Sequence, residues 1–395
     1  MHIQKTPEIR PSRITKIFLT HAHGDHTFGL PGLLCLMGRD RRDPTEVVDI
    51  YGPEGVRLWI RTAIRYSVSR TVPKYRVHEI CHVPMAPPYE WNPRRRRYIY
   101  RHADTTTSTA GQKQQPHQQQ WTRKGLVGED PVSWASRSKH INLEPNIMFG
   151  EVAGGQDIYP DYNHPQSVNG APVWHLVDED DVQVHAAPMA HGIPCVGFVV
   201  QEASRPGRLN RELVEPIVRR NVDALRASGF AIPMKAMAVI KDLEPGSSFT
   251  FPDGTVVHQS DAVMAPRQGR KVVICGDTSD ASALAGLAHD ADLVVHEATN
   301  AFLHGIDAGT TPADVTRDTT QHGHSTPEMA GRFARRIGAR ALVLHHFSAR
   351  YKGDYGAYSM GTMLRIEELA MGAAGMNATQ VAAAWDTMVV PIPQR

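Results

Sequence analysis

His21-Ala22-His23-Gly24-Asp25-His26, set directly behind the apolar run Ile17-Phe18-Leu19, is the stretch that decides how this chain is read. Three imidazoles and a carboxylate within six residues can wrap onto a pair of cations when a tight loop at a strand end turns alternate side chains to one point. Imidazole with carboxylate suits zinc best. His21 and His23, two apart, can hold one ion, and Asp25 with His26 can reach a second. Gly24 is expected to let the backbone turn sharply between them. The competing reading is a histidine-rich surface loop, because 21 histidines in 395 residues produce some clusters by chance. The density of ligand-type side chains behind a strand favours the metal site.

Composition bounds the rest. A chain of 395 residues with 41% hydrophobic content can bury one large core or two. The formal net charge of +2 is too small for a bulk nucleic-acid binder, so a polyanion would have to meet local basic patches. Cys35, Cys81, Cys195 and Cys275 are scattered with no CxxC pair, which indicates buried thiols rather than a disulfide framework or a cysteine zinc site. No apolar stretch approaches the roughly 20 residues of a membrane span, and no charged leader precedes a hydrophobic block. An intracellular protein without a membrane partner is expected, its compartment left open.

Working outward, Ile14 to Thr20 reads as a buried strand, and Val56, Trp59, Ile60, Ala63 and Ile64 recur at helical spacing after Gly52-Pro53-Glu54-Gly55. From about residue 84 the composition changes to a proline cluster, the run Arg94-Arg95-Arg96-Arg97, a Thr/Ser run and a glutamine-rich stretch. Such sequence buries too little apolar surface to offset its ordering entropy, so 84–172 is expected to be a largely disordered insertion. The arginine run could serve RNA or nuclear import, or be a solvated run. Ordered grammar resumes at Val182, where short apolar runs each lead to a ligand type: Val182–Val184 through Ala186-Ala187-Pro188 to His191, Val272–Ile274 to Asp277, Leu293–Val295 to His296-Glu297, and Leu342–Leu344 to His345-His346. Strand ends gathered in one α/β sandwich could bring these to the hexapeptide. Ser325-Thr326-Pro327-Glu328 reads as a capping box opening a helix with Met329, Phe333 and Ile337 on one face. His324 then stands just before a helix N-terminus, whose dipole disfavours imidazolium, so a proton-donating role would need a carboxylate partner. Glu297 is the candidate.

The pattern HxHxDH, a downstream histidine, a Gly-Asp and a final histidine resembles the metallo-β-lactamase superfamily. Thr20 to His26 continuing into Gly29-Leu30-Pro31-Gly32-Leu33-Leu34, then Gly276-Asp277-Thr278, His296-Glu297-Ala298-Thr299, His324-Ser325-Thr326 and His346-Phe347-Ser348-Ala349-Arg350-Tyr351, resembles the tRNase Z family more specifically, over residues 9–81 and about 173–392. The resemblance implies an αββα sandwich of the metallo-β-lactamase type, formed by 1–83 and 173–395, with the polar insertion between and a substrate-binding arm at about 203–245. It implies zinc on His21, His23 and His191, a second zinc on Asp25, His26 and His346, and Asp277 bridging the two. His346 is preferred to His345 because it directly precedes Phe-Ser-x-Arg-Tyr; His185, His289 and His296 read as core or surface histidines.

The implied activity is removal of the 3′ trailer from precursor tRNA, leaving a tRNA 3′-hydroxyl and a trailer 5′-phosphate. Asp25 would orient the attacking water, and His324 braced by Glu297 would protonate the departing ribose oxygen. Arg205, Arg208, Arg211, Arg219, Arg220 and Arg226 in the arm span are candidates for phosphate contact, against a solvated helix face. The family also implies a homodimer. Family members begin with further strands, which this chain is expected to lack, since His21 comes so soon. The stretch Gly309 to Gln321 reads as a loop insertion. Two other readings remain: a hydrolase of the same fold acting on a small substrate, and a catalytically impaired RNA-binding relative.

Overall fold

Parallel strands need long crossovers, and the first part of the chain supplies them as helices. The computed structural model describes residues 9–40, 43, 45–84, 89–92, 97–100, 144–179, 181–205 and 207–394. β1 (Lys16–Phe18) leads through the single turn α1 (Gly24–Thr27) and α2 (Leu30–Asp40) to β2 (Val47–Pro53), and α3 (Val56–Tyr66) leads on to β3 (Lys74–Ile80). Val56, Ile60 and Ile64 make the buried stripe of α3, as their spacing predicts. Its N-terminus is closed by Glu79 of β3, whose Oε1 accepts the backbone N–H of Gly55 (2.9 Å) and of Arg57 (3.0 Å). Among the described residues, β4 (Tyr89–Asn92) and β5 (Arg97–Tyr100) form a separate antiparallel pair. β6 (Asp157–Ile158) joins β3 to complete a parallel sheet in the order β1-β2-β3-β6.

β7 (Trp174–Glu179), β8 (Val182–Pro188) and β9 (Val196–Glu202) begin a second sheet. After the separate hairpin β10 (Ser248–Thr250) and β11 (Val256–His258), it is completed by β12 (Lys271–Ile274), β13 (Leu293–Glu297), β14 (Leu342–His345) and β15 (Val381–Ala383), in the order β15-β14-β13-β12-β9-β8-β7. β12 runs parallel to β13 and antiparallel to β9, so the sheet is mixed. Tyr51 and Ile80 of the first sheet pack with Trp174, Val184 and Phe198 of the second. Outside the first sheet, Leu34, Met37, Ile60 and Ile64 cover Val48, Ile50 and Val77. Outside the second, Ala330, Phe333, Ala334, Ile366 and Ala370 cover Val273, Val294 and Leu344. The layers are helix, sheet, sheet, helix, the expected αββα sandwich.

Residues 202–270 with 393–395 form a second compact unit. It contains α4 (Arg211–Arg220), α5 (Val222–Ala227), α6 (Ala236–Lys241), the β10–β11 hairpin and α7 (Gln259–Ala262), around its own core of Val214, Val218, Leu225, Ile240, Phe251 and Val257. The unit reaches past the 203–245 span read as an arm, through the hairpin and α7, because Phe251 and Val257 share a core with the helices.

Four further expectations are corrected. The insertion ends earlier than 172: Arg61 Nε meets both Glu151 oxygens at 2.9 Å, Asn146 Nδ2 donates to Arg61 O at 3.0 Å, and Tyr75 N–H donates to Gly150 O at 2.9 Å. These partners order a polar segment that has little apolar surface to bury. The strand read over Ile14–Thr20 is the three-residue, half-buried β1. The stretch at 309–321 is mostly α8 (Pro312–Gln321), opened by a capping box in which Thr311 and Asp314 exchange bonds. No capping box opens α9 (Pro327–Arg336): the Ser325 hydroxyl donates to Thr278 O at 2.5 Å, and the N-cap Thr326 makes no side-chain cap bond. The glutamine-rich stretch and Arg94–Arg96 lie outside the described residues. Among the described residues, no helix is long and apolar enough to cross a membrane.

Candidate metal centre

The hexapeptide hangs between the two sheets: Leu19 N–H donates to Tyr51 O of β2 at 2.8 Å, and Thr20 O accepts Val196 N–H of β9 at 2.9 Å. From there the backbone stays extended to His23 (φ −62°, ψ 152°) and then enters α1. Extended backbone puts His21 and His23 on one side; the helical turn then brings Asp25 and His26 round beside them. Gly24 is not needed for a sharp turn, since it opens a helical turn. A Cβ there would lie 2.6 Å from the ring of the exposed Phe28, which would have to swing aside.

The remaining residues arrive from strand ends, as their sequence positions predict. His191 follows β8; Asp277 follows β12; Glu297 ends β13; His346 follows β14 with φ 56°, a left-handed conformation uncommon outside glycine. Gly276 permits the close packing before Asp277, where a Cβ would come within 2.9 Å of Cys195 Sγ and 2.8 Å of Thr20 Cβ. His324 lies in the turn before α9.

Among the described residues these side chains form three groups, two of which share Asp277, the third being Glu297, His324 and His346. Of the two, one is His21, His23, His191 and Asp277; the other is Asp25, His26, Asp277 and His346; in each, the potential ligand atoms lie within 4.8 Å of one another. Asp277 Oδ2 is the common point, 3.8 Å from His21 Nε2, 3.4 Å from His26 Nε2 and 3.3 Å from His346 Nε2. Asp25 Oδ2 stands 3.4 Å from both His26 Nε2 and His346 Nε2. His23 Nδ1 and His191 Nε2 face each other at 3.1 Å, while His191 Nδ1 donates to Gly323 O at 2.9 Å. His324 Nδ1 meets Glu297 Oε1 at 3.0 Å and lies 3.9 Å from Asp277 Oδ2. Among the described residues, His185, His289, His296 and His345 belong to none of these groups. His289 is exposed, His296 is buried beside Phe333, and His185 pairs with His175 at 2.8 Å.

The electrostatics suit metal binding. Burial, reinforced by the neighbouring His26 and His191, pushes the His21 pKa down to about 3; burial likewise takes His191 to about 4. Both imidazoles are therefore neutral at pH 7, as a metal requires. Burial would raise the Asp277 carboxyl, but the close imidazole of His26 and the charges of His346 and His21 outweigh it and hold it low. Burial would lower His324, yet the hydrogen bond and charge of Glu297, with Asp277 and Asp25, outweigh it and raise its pKa.

The donor set fits metal ions. His21 Nε2, His26 Nε2 and Asp277 Oδ1 are buried with no hydrogen-bond partner, an arrangement costly enough that buried polar atoms rarely show it. Two ligands each about 2.1 Å from a tetrahedral zinc lie about 3.4 Å apart, which matches the separations above.

Thr299 was given no role from the sequence. Its hydroxyl lies 2.5 Å from Glu297 Oε2, 3.0 Å from His346 Nδ1 and 3.4 Å from His324 Nδ1. Arg350 and Tyr351 also acquire a purpose: Arg350 Nη2 donates to Ala301 O (2.6 Å), Arg350 Nη1 to Asp307 Oδ1 (2.7 Å), and the Tyr351 hydroxyl accepts Ala301 N–H (2.8 Å). They hold the loop that follows β13. The only sequence signal was their membership in the two short motifs.

A sandwich with this centre is the architecture of the metallo-β-lactamase class, and the family description "Beta-lactamase superfamily domain" matches residues 2–97. The chain is 32% identical over 391 residues to mouse (Mus musculus) zinc phosphodiesterase ELAC protein 1, covering 98% of this chain and 86% of that protein. It is 26% identical over 387 residues to ribonuclease Z of Lactiplantibacillus plantarum, covering 98% and 84%. The chain belongs to the tRNase Z family of zinc phosphodiesterases and ribonucleases Z. The crystal structure of human tRNase Z, short form, aligns with a TM-score of 0.49 at 23% identity, covering 99% of this chain and 83% of that one.

Proposed function

We propose that this chain is a zinc-dependent endoribonuclease that removes the 3′ trailer from precursor tRNA, leaving a tRNA 3′-hydroxyl and a trailer 5′-phosphate. The observation that carries the reading is the convergence of His21, His26 and His346 on one oxygen of Asp277, beside a histidine already paired with a buried carboxylate. Family membership supplies the substrate class. His21, His23 and His191 would hold one zinc, Asp25, His26 and His346 a second, and Asp277 would bridge. Zinc bound there supplies Lewis acidity and a lowered pKa for water, which suits attack on a phosphodiester.

The chain's own residues supply positioning and proton transfer. The exposed carboxylate of Asp25 would orient the attacking water. His324, its Nδ1 held by Glu297, keeps Nε2 available to protonate the departing ribose 3′-oxygen. The 202–270 unit would contribute phosphate contacts through Arg205 and Arg208. Arg211, Arg219 and Arg220 are engaged with carboxylates in this structure, the first two with Glu215 and the third with Asp253, so they would bind RNA only by exchanging partners. The family resemblance further suggests a homodimer in which one subunit's arm holds RNA for the other.

The test is incubation of the purified, zinc-loaded chain with a trailer-bearing precursor tRNA, with both product ends sequenced. Cleavage at the trailer boundary with the stated ends is expected. Hydrolysis of small phosphodiesters with no cleavage of the precursor would replace this reading with the small-substrate hydrolase.

A further inference from the structure

A histidine ligates a cation through an unprotonated ring nitrogen, and the partner of the other nitrogen decides which one that is. His346 Nε2 is aimed at Asp277 Oδ2 and Asp25 Oδ2, at 3.3 and 3.4 Å. Its Nδ1 lies 3.0 Å from the hydroxyl oxygen of Thr299. That hydroxyl has a single proton and four candidate acceptors: Glu297 Oε2 at 2.5 Å, the His346 carbonyl at 3.0 Å and, in the tautomer that leaves it bare, Nδ1 of His346 at 3.0 Å or of His324 at 3.4 Å. The charged acceptor at the shortest distance takes it. Thr299 Oγ1 is then left with lone pairs only, so His346 Nδ1 must donate and Nε2 is left bare toward the metal centre.

We infer that Thr299 is a positioning residue for the second metal, its hydroxyl relaying the acceptor character of Glu297 to His346 and locking His346 in the Nδ1–H tautomer. The inference rests on the reading of Asp25, His26 and His346 as ligands. The backbone builds the relay. Glu297 of β13 stands opposite His345 of the parallel β14, which brings the next residues of the two strands together. Thr299 N–H donates to Glu297 Oε2 at 3.2 Å, and Ser348 N–H to Thr299 O at 2.9 Å. The other oxygen, Glu297 Oε1, holds His324 Nδ1 at 3.0 Å and is itself fixed by Thr278 N–H at 2.7 Å. One fully buried carboxylate thus orients the proton donor directly and a metal ligand through Thr299.

Thr299→Val keeps the shape and removes the hydroxyl, whereas Thr299→Ser keeps the hydroxyl. Zinc-loaded proteins are titrated with a chelator and the zinc retained per chain is counted. The valine variant is expected to release one zinc at roughly 10- to 100-fold lower chelator concentration while holding the other, with a fall in kcat larger than any rise in KM. The serine variant should recover zinc retention. In metal-free wild-type protein, nitrogen-15 spectra of the histidines should show His346 protonated at Nδ1, its signals identified by their loss in His346→Gln; this reading does not depend on the valine variant folding. Release of both zincs as in wild type from the valine variant, or an Nε2–H tautomer in the wild-type protein, would overturn the role of Thr299. A wild-type chain that retains no zinc would overturn the ligand reading beneath it.

Discussion

The metal centre and the 202–270 unit both concentrate ionisable side chains and treat them in opposite ways. At the centre, His21 Nε2, His26 Nε2 and Asp277 Oδ1 are buried and make no hydrogen bond. In the 202–270 unit several charges lie at or near the surface and are paired with one another: Glu215 takes both Arg211 and Arg219, Asp253 takes Arg220, and Glu202 takes Arg270. Desolvated, unpaired polar atoms cost free energy that a bound cation can offset, whereas exposed ion pairs contribute only about 0–1 kcal/mol each and require nothing from outside. The demand for a ligand is therefore built into the first region. In the second, binding of a polyanion has to compete with pairs already made.

The comparison breaks first at Asp277. Asp277→Asn removes the charge on which both groups converge while nearly keeping the volume, and cleavage should fall on the order of 10³-fold or more, beyond the roughly 10- to 100-fold typical of residues that only orient ligands. Zinc content measured on the same sample should fall with it. An Asn variant with full zinc and wild-type turnover would remove Asp277 from the bridge.

The next largest effect belongs to His324. His324→Ala should lower kcat by about 10²- to 10⁴-fold, the usual worth of general acid catalysis, with both zincs retained. The sign of the pH dependence follows from its raised pKa: the acid form persists above the ordinary histidine value of about 6.5 and is lost as pH rises through the folded-state value. Wild-type kcat should therefore fall on the alkaline side, and that limb should be missing from the residual activity of the alanine variant. An unchanged alkaline limb would assign the proton to another group.

What the sequence made legible follows the same divide. The clustering of the candidate ligands could be read because His21 to His26 is one local run and the others stand at the ends of apolar runs that became β8, β12 and β14. Thr299 could not be read, because its meaning lies in a parallel register that places residues 299, 324 and 346 around one carboxylate. Ser325-Thr326-Pro327-Glu328 matched a capping box, yet Thr278 O captured the serine hydroxyl; the weaker-looking Thr311-Pro312-Ala313-Asp314 forms one, with Asp314 Oδ2 turned to Thr311 while its Oδ1 takes Arg317. The end of the polar insertion was hidden for a related reason. Composition reports how much apolar surface a segment can bury, and the 144–158 segment is held instead by directed bonds to Arg61, Arg65 and the edge of β3.

The smallest predicted effect tests the second region. Glu215 is half-buried, and its carboxyl is held low mainly by Arg219, with Arg211 assisting. Glu215→Gln removes the charge that occupies these two arginines on α4 and leaves the buried Val214 and Val218 of that helix in place. If the unit meets RNA phosphates, the released guanidiniums should tighten precursor binding a few-fold and steepen the salt dependence of log K by about 1–2, the slope expected for one or two additional phosphate contacts. Small-phosphodiester hydrolysis should not change. A steeper slope without tighter binding at low salt would not fit, because counterion release and affinity arise from the same contacts. An unchanged slope would mean that these arginines face solvent in the complex as well, leaving phosphate recognition to Arg205, Arg208 or another surface.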